Sequence, residues 1–322
     1  MRIATLQFDP ALEDVEGNIK KADMLLFCHK DRLKNLDLLV LPELAFAGYN
    51  HKSSIDIEPF LEPTGAGPST LWAKRTARNL HCTVAVGYPE KDLSGIERRA
   101  YNSLVFADRT GETVAHTRKS FLYYTDETWA LEGQGFFAGD MRLGSPLTAK
   151  KVAAGICMDI NPYKFEAPWT AYEFANHTIA SKAELVVLPM AWLTRLSTIE
   201  LQGQDKQPDL DTVGYWLERM RPLLGPNGPD REVIVVCANR CGEEGESPLI
   251  GPVRYAGSST VMGMSRGDGR VDGEVRIWDM LGRAEEGVLI VDTKDNARYG
   301  LKRSLPAESL NGDEDRATSD QD

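Results

Sequence analysis

The chain has 322 residues, 42% of them hydrophobic and 26% charged, with a formal net charge of −11. That length accommodates two average domains or one large α/β domain, with ample apolar material for a buried sheet. The acidic balance argues against a nucleic-acid groove, no apolar run nears the ~18 residues of a membrane helix, and five scattered cysteines do not make a disulfide framework.

In chain order, Met1 to Pro10 (MRIATLQFDP) alternates like a strand and lacks an apolar secretory core. Asn18–Asn35 carries apolar residues at helical spacing and predicts a helix. Leu36–Leu44 (LDLLVLPEL) is an apolar run broken by Pro42, as expected of a strand buried on both faces. Pro68–Leu80 opens with Pro and Ser, a helix start. Thr83–Glu90, Lys151–Asp159, Ala183–Trp192 and Arg231–Gly242 repeat the buried-strand design, and Thr113–Thr117 predicts a short strand. Thr170–Lys182 predicts a further helix, and residues 203–212 a surface loop. The runs LLVLPE and LVVLPM echo each other, which fits two similar halves without proving them. The C-terminal third, with YAGSSTVMGM, EVRIWDM and GVLIVDT, predicts antiparallel strands. Alternating strands and helices imply an α/β protein with helices over sheets. Residues 1–304 are expected to form a single domain; 305–322, acidic and without aromatics, are expected to be a disordered tail.

Three reactive residues stand just past strand ends: Glu43, Lys119 and Cys157. If their strands are neighbours in one sheet, the side chains converge. A free thiol has a pKa of ~8.5 and is mostly protonated at neutral pH. A neighbouring carboxylate can take its proton as general base. A lysine ammonium steadies a developing oxyanion. Such a trio suits attack on an amide. Other motif matches fail: GMSRG, Gly263 to Gly267, fits a serine-hydrolase elbow, but no histidine follows it. The histidines and cysteines form no metal-ligand spacing, and no cofactor is expected.

The stretches LLVLPELAFAGY, EPTGAGPST, HTRKSFL and GICMDINPY resemble the nitrilase (carbon-nitrogen hydrolase) superfamily, in order and over most of the chain. The resemblance implies a four-layer α-β-β-α sandwich and a Glu43–Lys119–Cys157 triad. It also implies a second glutamate, for which Glu127 is the match and Glu132 the competing position. Asn161-Pro162-Tyr163 departs from the Arg-bearing form of the superfamily. The longer runs GICMDINPYKFEAPWTAYEFANH and KSFLYYTDETWALEG are similar to the protein N-terminal asparagine amidohydrolases. That likeness implies deamidation of an N-terminal Asn, and often Gln, to the acid, creating a degradation signal. Protein or peptide N-termini would be the substrate, the setting cytoplasmic, and a homodimer is compatible with the family. Lys119 and the Met158 N–H would hold the oxyanion. A substrate α-ammonium needs an anion near the thiol; Asp126 and Asp159 are the candidates, although Asp159 equally suits bracing of the bend. Trp192 either walls the pocket or belongs to the core. A small-molecule ω-amidase or carbamoylase shares this chemistry, and a catalytically silent binding scaffold is the reading from another class.

Overall fold

A computed structural model describes residues 1–302 apart from 96–97, 145, 202 and 268–272. The expected acidic tail, 305–322, lies outside the described residues. Each apolar run becomes an inner strand of one of two sheets. The first half of the chain runs β1 (Arg2–Gln7), α1 (Val15–Cys28), β2 (Leu38–Val40), β3 (Glu62–Pro63), α2 (Pro68–Leu80), β4 (Thr83–Asp92), β5 (Arg99–Ala107) and β6 (Thr113–Arg118). There follow β7 (Phe137–Leu143), β8 (Thr148–Ala154), α3 (Glu173–Ala180), β9 (Leu185–Met190), α4 (Leu210–Arg219) and β10 (Val233–Asn239). The last part holds a hairpin, β11 (Glu243–Ser247) and β12 (Gly251–Arg254), then β13 (Thr260–Ser265), β14 (Glu274–Met280), β15 (Gly287–Asp292) and β16 (Tyr299–Lys302).

The first sheet has the order β15-β1-β2-β4-β5-β6, with β3 also on β4; the second has β16-β14-β13-β10-β9-β8-β7. In each, three central strands run parallel: β1, β2 and β4 in one, β8, β9 and β10 in the other. The strands flanking these trios are antiparallel, except the two-residue β3, which pairs with β4 in parallel. Strand side chains alternate between faces, and β2 shows what that does here. Leu38 and Val40 enter the core between the sheets, while Leu39 and Leu41 enter the core under α1 and α2. On the far side, Phe174 of α3 and Trp216 of α4 pack on the second sheet. The layers are therefore α-β-β-α, as the resemblance implied.

Several boundaries differ from the expectation. The first helix spans Val15–Cys28 rather than Asn18–Asn35, because the Asp14 side chain caps it by accepting the Gly17 N–H at 2.9 Å. The helix expected over Thr170–Lys182 spans Glu173–Ala180. The loop expected over 203–212 ends at Asp209, which caps α4. The strand expected to reach Asp159 stops at Ala154, and Cys157–Ile160 form one tight helical turn. The three reactive residues do not follow neighbouring strands of one sheet. Glu43 and Lys119 follow β2 and β6 of the first sheet, whereas Cys157 follows β8 of the second. They meet because the two sheets pack face to face.

Candidate active site

Glu43 stands at the turn after β2. Its N–H points to the Met190 carbonyl at 3.4 Å, so the end of β2 touches the end of β9 in the opposite sheet. The segment passes so close to β4 that a Cβ on Gly87 would lie 2.8 Å from the Pro42 carbonyl oxygen and the Leu44 nitrogen. Only glycine tolerates that approach. Glu43 Oε1 accepts from Lys119 Nζ at 2.5 Å and from Asn102 Nδ2 at 2.7 Å, and Oε2 accepts from the Ala191 N–H at 2.8 Å.

Lys119 has no exposed surface and is held between two carboxylates, Glu43 and Asp126, each at 2.5 Å. Asp126 Oδ2 also accepts from the Tyr49 hydroxyl at 3.1 Å and the Tyr123 N–H at 3.0 Å, and Oδ1 accepts from Asn102 at 2.9 Å. Burial works against the lysine's charge, but the two carboxylates outweigh it and hold the ammonium above its ordinary range. One cation shared by two carboxylates leaves surplus negative charge. Burial first, and Asp126 next, push the Glu43 carboxyl upward despite Lys119. A base raised in this way also makes a competent acid once protonated.

Cys157 opens the turn after β8 with φ at 45°, in the left-handed region that non-glycine residues rarely enter. The bend is fixed by Asp159. Its Oδ2 accepts the Ile156 N–H at 2.7 Å, and its Oδ1 accepts the N–H groups of Ser120 and Phe121 at 2.9 and 2.7 Å. One carboxylate thus ties the Cys157 turn of the second sheet to the residue after Lys119 on the first. A Cβ on Gly155 would come within 2.7 Å of the Phe174 ring, so the chain needs glycine to enter this turn. Burial, and then the negative Glu43, push the Cys157 thiol well above its ordinary value, although Lys119 pulls the other way. The Ala191 N–H bonded to Glu43 also faces the Cys157 sulfur.

A cavity of about 490 Å³ opens over Cys157, with Tyr49, Asn161, Trp192, Asp209 and Tyr215 among its walls. The exposed lining residues Phe165, Arg195 and Asp211 mark its mouth. Glu43 and Lys119 are fully buried and are not among its walls, whereas Cys157, Tyr49 and Ala191 are. Met158 also lines it; the amides of Asp159 and Asn161 bond within the turn, and the Met158 amide is not among those bonds. Trp192 is half-buried and walls the cavity, its ring 5.3 Å from that of Tyr215.

Other expected positions need correction. Glu127 is exposed; the carboxylate on Lys119 is its neighbour Asp126. Glu132, also exposed, accepts the Tyr163 hydroxyl at 2.8 Å. Asp126 and Asp159, expected as receivers of an ammonium, are instead occupied by Lys119 and by backbone N–H groups. Asn102, Tyr49, Asp209 and Tyr215 were missed. For Asn102 a signal existed, since a polar pair, Asn102-Ser103, interrupts the apolar run from Ala100 to Ala107. Among the described residues no group of three His, Cys, Asp or Glu is placed to hold a metal, and no helix is long and apolar enough to cross a membrane.

Two sheets packed between helices, with reactive side chains gathered at strand ends beside a cavity, are the layout of the nitrilase-like hydrolases. The chain belongs to the carbon-nitrogen hydrolase family, whose model matches residues 2–162. It is 32% identical over 304 residues to the protein N-terminal amidase of Schizosaccharomyces pombe, covering 90% of this chain and 98% of that one. It is 31% identical over 248 residues to the protein N-terminal amidase of Saccharomyces cerevisiae, covering 71% of this chain and 54% of that one. The fold matches a crystal structure of an N-terminal amidase with an Asn-Glu-Ala peptide, with a TM-score of 0.78, 21% identity and coverage of 95% and 99%.

Proposed function

We propose that this hydrolase deamidates the side chain of an N-terminal Asn, and also Gln, of proteins or peptides, releasing ammonia through a thioester on Cys157. The substrate reading is carried by the likeness to the S. pombe N-terminal amidase over nearly the full length of both chains. Relatives of that name have been solved with Asn and Gln peptides. The chemistry rests on the buried Glu43–Lys119–Asp126 cluster behind a cavity-lining thiol. Glu43 takes the Cys157 proton as the sulfur attacks the carboxamide carbon. Lys119 and the Met158 N–H steady the oxyanion. When the C–N bond breaks, Glu43 gives its proton to the leaving nitrogen, and ammonia departs. Water then attacks the thioester, Glu43 accepts its proton, and the acid and the free thiol are restored. The described cysteines are all unpaired, which supports a reducing setting such as the cytoplasm.

Ammonia release from a peptide beginning with Asn, compared with the same peptide acetylated at its N-terminus, tests the substrate. The free peptide is turned over and the acetylated one is not. Equal turnover of both, or turnover of small free amides alone, moves the assignment to a small-molecule amidase. Binding without any turnover favours a silent scaffold. Cys157→Ala abolishes ammonia release and keeps the fold by circular dichroism.

A further inference from the structure

An N-terminal substrate carries an α-ammonium close to the carboxamide being cut. The cavity must therefore offer an anion, and the carboxylates nearest the thiol cannot serve. Glu43 and Asp126 hold Lys119, and Asp159 holds three backbone N–H groups. Two acidic residues remain among the cavity walls, Asp209 and Asp211. Asp211 is exposed at the mouth, whereas Asp209 is only 5% exposed.

Asp209 is held rigidly but not neutralised. Its Oδ1 accepts the Thr212 N–H at 3.1 Å, and its Oδ2 accepts the Thr194 hydroxyl at 2.8 Å. Its own N–H donates to Ser258 Oγ at 2.8 Å. Both donors to the carboxylate are uncharged, and each oxygen retains acceptor capacity. The N-terminus of α4 supplies only a partial positive charge, roughly half, and Asp211 lies in the same first turn. No Lys or Arg of the described residues forms an ion pair with Asp209; Arg195 lies at the exposed mouth. A buried carboxylate without a cation is costly until one arrives. The Trp192 and Tyr215 rings line the same cavity and offer π-faces that an ammonium also favours.

We propose that Asp209 is the residue that receives the substrate's α-ammonium and so restricts the enzyme to free N-termini. The proposal rests on the N-terminal amidase reading and names how that reading is enforced. Small amides without an α-ammonium fit the same space but leave the carboxylate unpaired.

The test compares a peptide beginning with Asn with the same peptide carrying a succinamoyl group in place of Asn, which keeps the carboxamide and lacks the ammonium. The readout is the ratio of the two kcat/KM values. In the wild-type enzyme the ratio strongly favours the Asn peptide. In Asp209→Asn, which preserves helix capping, the ratio falls by roughly 10- to 100-fold, chiefly through KM, as expected for loss of a charge-assisted hydrogen bond. A purely structural role lowers both substrates alike and leaves the ratio intact, and that result overturns the proposal. Asp209→Ser, also a good cap, is read in the same way should the Asn variant fail to fold. A wild-type enzyme with no preference between the two peptides brings down the N-terminal reading itself, and Asp209's role with it.

Discussion

At Asp126 and Glu127 a single step along the chain separates a buried partner from a surface carboxylate. Residues 126–128 form a short tight turn, so neighbouring side chains leave in different directions. Asp126 points in to Lys119, Tyr49 and Asn102, while Glu127 faces solvent. The family resemblance implied a second glutamate and matched it to Glu127; it could not show which of two adjacent acids turns inward. Glu43, Lys119 and Cys157 were legible because each is a reactive type placed just past the end of a predicted strand. Asp209 was not, since in sequence it is one acid among several in a polar stretch. Asp126→Asn leaves Lys119 with one carboxylate in place of two. Charge-assisted bonds from Lys119, Tyr49 and Asn102 become neutral ones, which costs about 1–3 kcal/mol, lowers Tm by roughly 2–4 °C and cuts kcat by at least ~10-fold. Glu127→Gln stays within about twofold of wild type. Steady-state kinetics and thermal melts of the two variants decide between the carboxylates; a large loss in Glu127→Gln with none in Asp126→Asn reverses the assignment.

At the scale of elements, the central parallel strands β2, β4, β8, β9 and β10 and the helix α2 were readable because continuous apolar runs and a Pro-Ser start leave few alternatives. The strands that escaped had mixed patterns. Asn102 and Ser103 sit in the middle of β5, and β7 is an edge strand with exposed positions along its length. The polar residues of β5 serve the sheet directly. On β4, Glu90 is fully buried and accepts from Ser103 at 2.6 Å, Thr64 at 2.6 Å and Arg118 at 2.5 Å, with His116 3.1 Å away. This cluster joins β4, β5 and β6 immediately before Lys119. Burial alone would raise the Glu90 carboxyl, but the bonds from His116, Arg118, Ser103 and Thr64 prevail and hold it well below its ordinary 4.5. A depressed folded value means that the stabilisation is fully present above the unfolded value and fades as pH falls through the folded one. Glu90→Gln therefore lowers Tm most near pH 7, and its gap to wild type narrows below about pH 4.5. Melting curves over that range provide the check. A gap that widens on acidification contradicts the ionised, paired state of Glu90.

Over the whole molecule, the echo of LLVLPE and LVVLPM has a spatial counterpart. β2 and β9 are each the middle of three parallel strands, one per sheet, and their ends meet where Glu43 touches Met190 and Ala191. Periodicity identified the strands but carried no information on which sheet each would join, so the division of the reactive residues between sheets stayed hidden. That division matters chemically. Glu43 and Lys119 belong to one sheet, Cys157 to the other, and Asp159 bonds across the junction. The two-sheet core holds the reacting groups in register without a flexible loop carrying all of them. The thioester mechanism requires the Cys157 sulfur to bond to the carbon of the substrate's side-chain carboxamide. Acid quenching during the first turnovers of an Asn peptide, followed by intact-protein and peptide mass spectrometry, tests it most directly. A thioester appears as an adduct equal in mass to the peptide less ammonia, confined to Cys157 and missing from Cys157→Ala. Ammonia release by Cys157→Ala at the wild-type rate, or an adduct on a different residue, contradicts it.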